Sequence, residues 1–78
     1  MKITIVHKSD CPLCERAIKE FTEDGHDVEL VHDLLEVPDE SRRRDMMADM
    51  LSADGDKDVF PSVFAYDRFI PWQPKKGI

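Results

Sequence analysis

Ser9-Asp10-Cys11-Pro12-Leu13-Cys14-Glu15 is the stretch from which the rest of the chain can be read. It holds both cysteines of the sequence, separated by two residues, between an apolar strand-like run and an amphipathic helical pattern. A Cys-x-x-Cys pair at a strand-to-helix junction reads as a dithiol redox motif. The first sulfur can sit at the helix N-terminus, where free N–H groups and the positive end of the dipole favour a thiolate. A purely structural crosslink is the weaker reading: in the chain-entropy model a loop this short stabilises by roughly 2 kcal/mol, against nearly 5 for a loop of about 100 residues. A metal site is the more serious rival, because Cys-x-x-Cys is half of a common zinc site and His7, His26 and His32 are at hand. No second Cys-x-x-Cys pair completes it.

The chain has 78 residues, which makes one domain that buries only about 60% of the surface exposed by the unfolded chain. Its net charge of −6 and pI near 4.9 argue against general nucleic-acid binding and against an anionic membrane surface. Met1-Lys2-Ile3-Thr4-Ile5-Val6-His7 has too short an apolar run for a signal peptide, and nothing in the sequence approaches a membrane span. The expected setting is the cytoplasm, with the protein a monomer. In that reducing compartment a two-cysteine motif is more often catalytic than structural.

From Lys2 to His7, Ile3 and Ile5 alternate with Thr4 and Val6, and the β-branched content fits a central strand covered on both faces. Pro12 suits the first turn of a helix, where its missing N–H has no partner to lose. Over about Pro12 to Asp24, residues Leu13, Cys14, Ala17, Ile18 and Phe21 share a face, and Gly25 stops the helix. Asp27 to His32 then forms a second strand, parallel to the first, in a right-handed β-α-β unit. Leu34, Leu35 and Val37 lead to Pro38, which is expected to open a second helix with Asp39 and Glu40 in its first turn.

Met46, Met47, Met50 and Leu51 form the expected apolar face of that second helix, as core rather than as metal ligands. Arg42, Arg43 and Arg44 lie among Asp39, Glu40 and Asp45 and read as a solvated face. The stretch from Ser52 to Asp58 is turn chemistry; Asp54, Asp56 and Asp58 have the alternation of a calcium loop, but the glycine is misplaced and no glutamate follows at the needed distance. Ser62 to Tyr66 is a third strand, Asp67-Arg68 the turn, and Phe69-Ile70 a final strand that Pro71 confines to an edge.

The order strand, Cys-x-x-Cys, helix, strand, helix, and a proline opening a hairpin resembles the thioredoxin fold in its smallest, glutaredoxin-like form, over about residues 2 to 72. Lys8 stands three residues before Cys11, as in many glutaredoxins; Cys11-Pro12-Leu13-Cys14 is similar to their Cys-Pro-Tyr-Cys, and Val59-Phe60-Pro61 to their Thr-Val-Pro. The resemblance implies an α/β domain over residues 1–78 with the order β-α-β-α-β-β: a four-stranded mixed sheet with helices on its faces, lacking the usual C-terminal helix. It implies Cys11 as nucleophile, Cys14 as resolving thiol, and Pro61 in a cis peptide bond beside them. Phe60 would offer its backbone to an incoming peptide or glutathione. Lys8 would place a positive charge near the Cys11 thiolate or a glutathione carboxylate, and Pro12 and Leu13 would border the substrate.

Two departures are plain. The Gly-Gly-x-Asp turn with which glutaredoxins hold the glutamyl end of glutathione is replaced by Ile70-Pro71-Trp72-Gln73, and no terminal helix follows. Trp72 either covers the sheet face that such a helix would bury or lines a groove near the cysteines; cover is the expected role, because a large bare apolar face invites association.

The implied activity is thiol-disulfide exchange on protein or glutathione mixed disulfides, without a bound cofactor. The reductant is either glutathione or a thioredoxin-reductase-like flavoenzyme. Asp10 opposes the Cys11 thiolate, while Lys8 and the helix end favour it, so the Cys11 sulfur, expected to be exposed, is expected to ionise below the free value of about 8.5. The alternatives are a metal or iron-sulfur carrier that uses the two cysteines, and a binding module without turnover.

Overall fold

A computed structural model of the chain describes residues 2–53 and 60–72. The Asp54, Asp56 and Asp58 alternation, Val59 and the tail from Gln73 lie outside the described residues. The elements are β1 (Lys2–Val6), α1 (Pro12–Glu23), β2 (Asp27–Val31), a single 3-10 turn (Leu34–Glu36), α2 (Glu40–Ser52), β3 (Ser62–Ala65) and β4 (Arg68–Ile70). They build one mixed sheet in the order β2-β1-β3-β4. β1 pairs in parallel with β2, Val6 opposite Val31, and antiparallel with β3, Val6 opposite Ser62.

Strand alternation sends the side chains of β1 to two separate cores. Ile3 and Ile5, fully buried, pack with Ala17 of α1 and Val63 of β3, and half-buried Ile18, Phe21, Val28, Ile70 and Trp72 close that layer. Val6 points the other way, into a layer with Met46 and Met50 of α2, Phe64 of β3, and Val31, Leu34 and Val37. The two helices therefore cover opposite faces, which is how a central strand comes to be buried on both. Trp72 covers the α1 face, as expected, and its N–H donates to the Ile70 carbonyl at 2.8 Å.

Local chemistry sets the ends of α1. Pro12 stands at its start, and after the cap at Asp24 the chain turns at Gly25, whose φ of 83° a residue with a side chain rarely adopts. Among the described residues no helix is long and apolar enough to cross a membrane.

Three expectations need correction. α2 is opened by Asp39 rather than by Pro38: the Asp39 carboxylate stands outside the helix and accepts from the Ser41 and Arg42 N–H groups at 2.9 and 3.2 Å. Ahead of it, Asp33 caps a 3-10 turn that buries Leu34 and leaves Leu35 77% exposed. Leu51 is exposed, one residue beyond the Met46–Met50 row that faces the sheet, with Met47 half-buried beside it. The hairpin turns at Tyr66-Asp67, one residue earlier than expected, because Ala65 pairs with Arg68; Tyr66 takes φ 55° there.

The arginine run is not uniformly solvated. Arg42 reaches across the sheet, its Nε donating to Asp67 Oδ1 at 2.7 Å and its Nη2 to Thr4 Oγ1 at 3.5 Å. Thr4 is fully buried, and its hydroxyl donates to Glu29 Oε1 at 3.0 Å. A polar residue inside β1 is tolerated because these partners satisfy it. Arg43 Nη1 caps the Val37 carbonyl at 2.7 Å, and only Arg44 is a solvated side chain as expected.

Candidate functional site

The parallel pairing of β1 with β2 and the antiparallel pairing of β1 with β3 gather three chain segments at one end of the sheet. They are the exit of β1 toward Cys11, the exit of β2 at His32, and the entry to β3 through Phe60 and Pro61. The site is built from the tips of these segments and the first turn of α1.

Cys11 is the N-cap of α1, with extended backbone at φ −120° and ψ 98°. Its Sγ accepts from the Cys14 N–H at 3.2 Å, and its carbonyl accepts from the Glu15 N–H at 3.1 Å. The sulfur thus occupies the place of a capping oxygen, against a free N–H in the positive first turn. Cys11 and Cys14 form a disulfide with Cα atoms 5.2 Å apart. Asp10, just before it, has φ 55°, in a region that aspartate enters more readily than most residues.

The cysteines are less accessible than the sequence implies. Cys11 keeps 7% of its surface and Cys14 1%, so the expectation of an exposed sulfur at position 11 is corrected. The cause is local: Cys14 and Ala17 are the inward residues of α1, and the bond to Cys14 draws Cys11 inward with it. What access the pair has belongs to Cys11. Pro12 and Leu13 between them are exposed, Leu13 at 45%, and form the surface next to the disulfide.

The Phe60–Pro61 bond is cis, as the resemblance implied. Phe60 packs against the α2-side core, and the Lys8 ammonium lies over its ring, 5.5 Å from the centroid. Lys8 is an exposed loop residue with an aromatic partner at this end of the sheet. Pro61 leads directly into Ser62, the residue of β3 paired with Val6.

Two features here had no counterpart in the sequence reading. The rings of His7 and His32 lie 4.5 Å apart, brought together by the β1–β2 register although far separated in the chain. A cavity of about 200 Å³ lies on the α2 side, reaching from Val6 to Phe60 and Met47. Only the pairing of Val6 with Val31 and Ser62, once known, would have signalled either.

For a metal, His26 and His32 are poorly placed, since β2 lies between them and puts them at opposite ends of the sheet. His26 instead packs near the Phe21 ring. Among the described residues, no group of three or more His, Cys, Asp or Glu side chains is gathered so as to hold a metal ion. Compared with family models, with curated proteins and with solved structures, the chain finds no match in any of the three.

Proposed function

We propose that this chain is a thiol-disulfide oxidoreductase built on a minimal, glutaredoxin-like thioredoxin fold. The observation that carries the reading is the position of Cys11: a sulfur that caps a helix N-terminus, accepts from the Cys14 N–H and is bonded to Cys14. Support for the fold comes from the sheet order β2-β1-β3-β4 with one helix on each face.

In the reduced protein the Cys11 thiolate attacks one sulfur of a substrate disulfide. A mixed disulfide forms and the other substrate sulfur leaves as a thiolate, which takes up a proton from solvent. Cys14, deprotonated, then attacks the Cys11 sulfur, releases the second substrate thiol and closes the Cys11–Cys14 disulfide. Two electrons have passed from the dithiol to the substrate. Two external thiols, two glutathiones or the pair of a reductase dithiol, return the protein to its starting state: the first attacks Cys11 and frees Cys14, and the second attacks the external sulfur of that mixed disulfide, freeing Cys11 and leaving the external pair as a disulfide. The order is supported by exposure, since Cys11 keeps 7% of its surface and Cys14 1%, and so Cys11 is taken as the attacking sulfur and Cys14 as the resolving one.

The fixed donors at the helix end lower the cost of the thiolate both as attacking group and as leaving group. Lys8, over the Phe60 ring, and Pro12 and Leu13, between the two cysteines, are the residues expected to border a substrate. An assay of peptide-disulfide and glutathione mixed-disulfide reduction, driven in turn by glutathione and by NADPH with a flavin reductase, tests the reading. Wild-type protein is expected to turn over with one donor, and Cys11→Ser to fall to the buffer rate; equal rates for the two proteins would refute it.

A further inference from the structure

The cavity on the α2 side plays no part in the exchange steps, yet it lies at the end of the sheet where they would occur. Val6, Leu34, Met47, Met50 and Phe60 supply apolar walls, two of them methionines that adapt to the shape of an occupant. Its volume of about 200 Å³ exceeds the roughly 150 Å³ that accommodates a benzene ring. It is therefore large enough for one amino-acid side chain.

The rim decides which kind. His32 and Asp33 border the cavity, both are exposed, and no lysine or arginine among the described residues lines it. Asp33 Oδ1 accepts from the Leu35 N–H at 2.9 Å, and no cation among the described residues lies within ion-pair distance of this carboxylate. An occupant that is wholly apolar would desolvate a carboxylate without compensation, and a wholly polar one would leave the methionine and phenylalanine walls without a partner. A long aliphatic stem ending in a cation suits both, because lysine and arginine bury their methylenes and keep the charge at the rim. The net charge of −6 draws the same class of partner.

We propose that this cavity takes the side chain of a lysine or arginine within a few residues of the reacting cysteine in an extended protein substrate, so that basic disulfide-bearing polypeptides are the preferred class. The proposal rests on the oxidoreductase reading. It adds a subsite that selects by sequence, with the Phe60 backbone, ahead of β3, offered to an extended segment.

The test uses peptides with one cysteine in mixed disulfide with a chromogenic aryl thiol, carrying lysine or norleucine two residues before the cysteine, or in a second series two residues after it. In one series the lysine peptide is expected to show a kcat/KM about fivefold higher at low salt, the size of effect a solvent-screened ion pair gives. That ratio is expected to fall toward one in high salt and in Asp33→Asn, which keeps the capping acceptor and removes the charge.

Equal turnover of lysine and norleucine peptides in both series, or a lysine preference that Asp33→Asn leaves intact, overturns the subsite and leaves the oxidoreductase reading standing. Failure to turn over any peptide counts against the oxidoreductase reading itself. The cavity is then judged by binding: a cysteine-free lysine peptide is expected to shift the Met47 and Met50 methyl resonances where its norleucine counterpart does not, and identical spectra overturn the subsite.

Discussion

At the end of the sheet where β1 begins, Arg42 joins α2 to Asp67 of the hairpin at 2.7 Å and comes within 4.0 Å of Glu29 on β2, while Glu29 holds Thr4 and Lys2. Asp49 of α2 adds a bond from the Phe69 N–H at 2.7 Å, fastening edge strand β4 to the same helix. At the other end, where β1 exits toward Cys11, long-range side-chain ion pairs among the described residues give way to a disulfide, a lysine over a phenylalanine ring, two tilted histidine rings 4.5 Å apart and a cavity. One end is braced by ion pairs, and the other holds the disulfide and the cavity. A domain of this size has a thin stability margin, and the bracing side chains lie away from the disulfide.

The sharpest way to break this contrast is to remove what both ends share. Phe64 is fully buried in the middle of β3, packed edge-on against Phe69 with ring centroids 5.6 Å apart. Phe64→Ala is expected to cost on the order of 3–5 kcal/mol, a large share of the roughly 5–15 kcal/mol that holds a domain together. Urea unfolding followed by circular dichroism would show it. A loss below about 1 kcal/mol would mean that the α2-side core does not organise the sheet.

A smaller change separates the two ends. Arg42→Ala strips partners from Asp67, Glu29 and buried Thr4 and is expected to destabilise by about 1–2 kcal/mol, discounted because Arg42 and Asp67 are partly exposed. Disulfide turnover per folded molecule should stay at the wild-type level. If turnover fell along with stability, the two ends would be coupled and the contrast lost.

The least perturbing change acts at the other end. Asp10→Asn keeps a side chain that tolerates φ 55° and removes a negative charge adjacent to Cys11. Alkylation of the reduced protein near neutral pH is expected to quicken by a few-fold, from roughly 1 kcal/mol of relieved repulsion. The sign is fixed, since removing a carboxylate favours the thiolate and moves its ionisation to lower pH. Melting temperature should barely change, the reverse of the Arg42 result.

Much of this architecture is legible in the sequence wherever a period or a special residue carries the information. The alternation in Lys2 to Val6 gives β1 and both of its faces; Pro12 and Gly25 bracket α1; Pro61 and Pro71 bound the hairpin. The 3-10 turn at Leu34 is not legible, because three residues are too few for a period to show. Nor is the role of Arg42, whose partners Asp67 and Thr4 are 25 and 38 residues away in the chain and become neighbours only once the sheet has formed. Of the candidate site, the closeness of Cys11 to Cys14 and the cis bond before Pro61 agree with the sequence reading, and the access of the cysteines does not. Nothing in Cys11-Pro12-Leu13-Cys14 says how far the bond to an inward Cys14 withdraws Cys11 from solvent.

The measurement that bears most directly on the central claim, that Cys11 is the attacking sulfur and Cys14 the one that completes exchange, is a trapping experiment. Reduced Cys14→Ser protein, mixed with a peptide disulfide and quenched in acid, is analysed by intact mass and by peptide mapping. One peptide attached through Cys11 is the expected product, with none on Cys14 in the reduced Cys11→Ser protein under the same conditions. An unmodified Cys14→Ser protein, or faster attachment at Cys14 than at Cys11, would contradict the account.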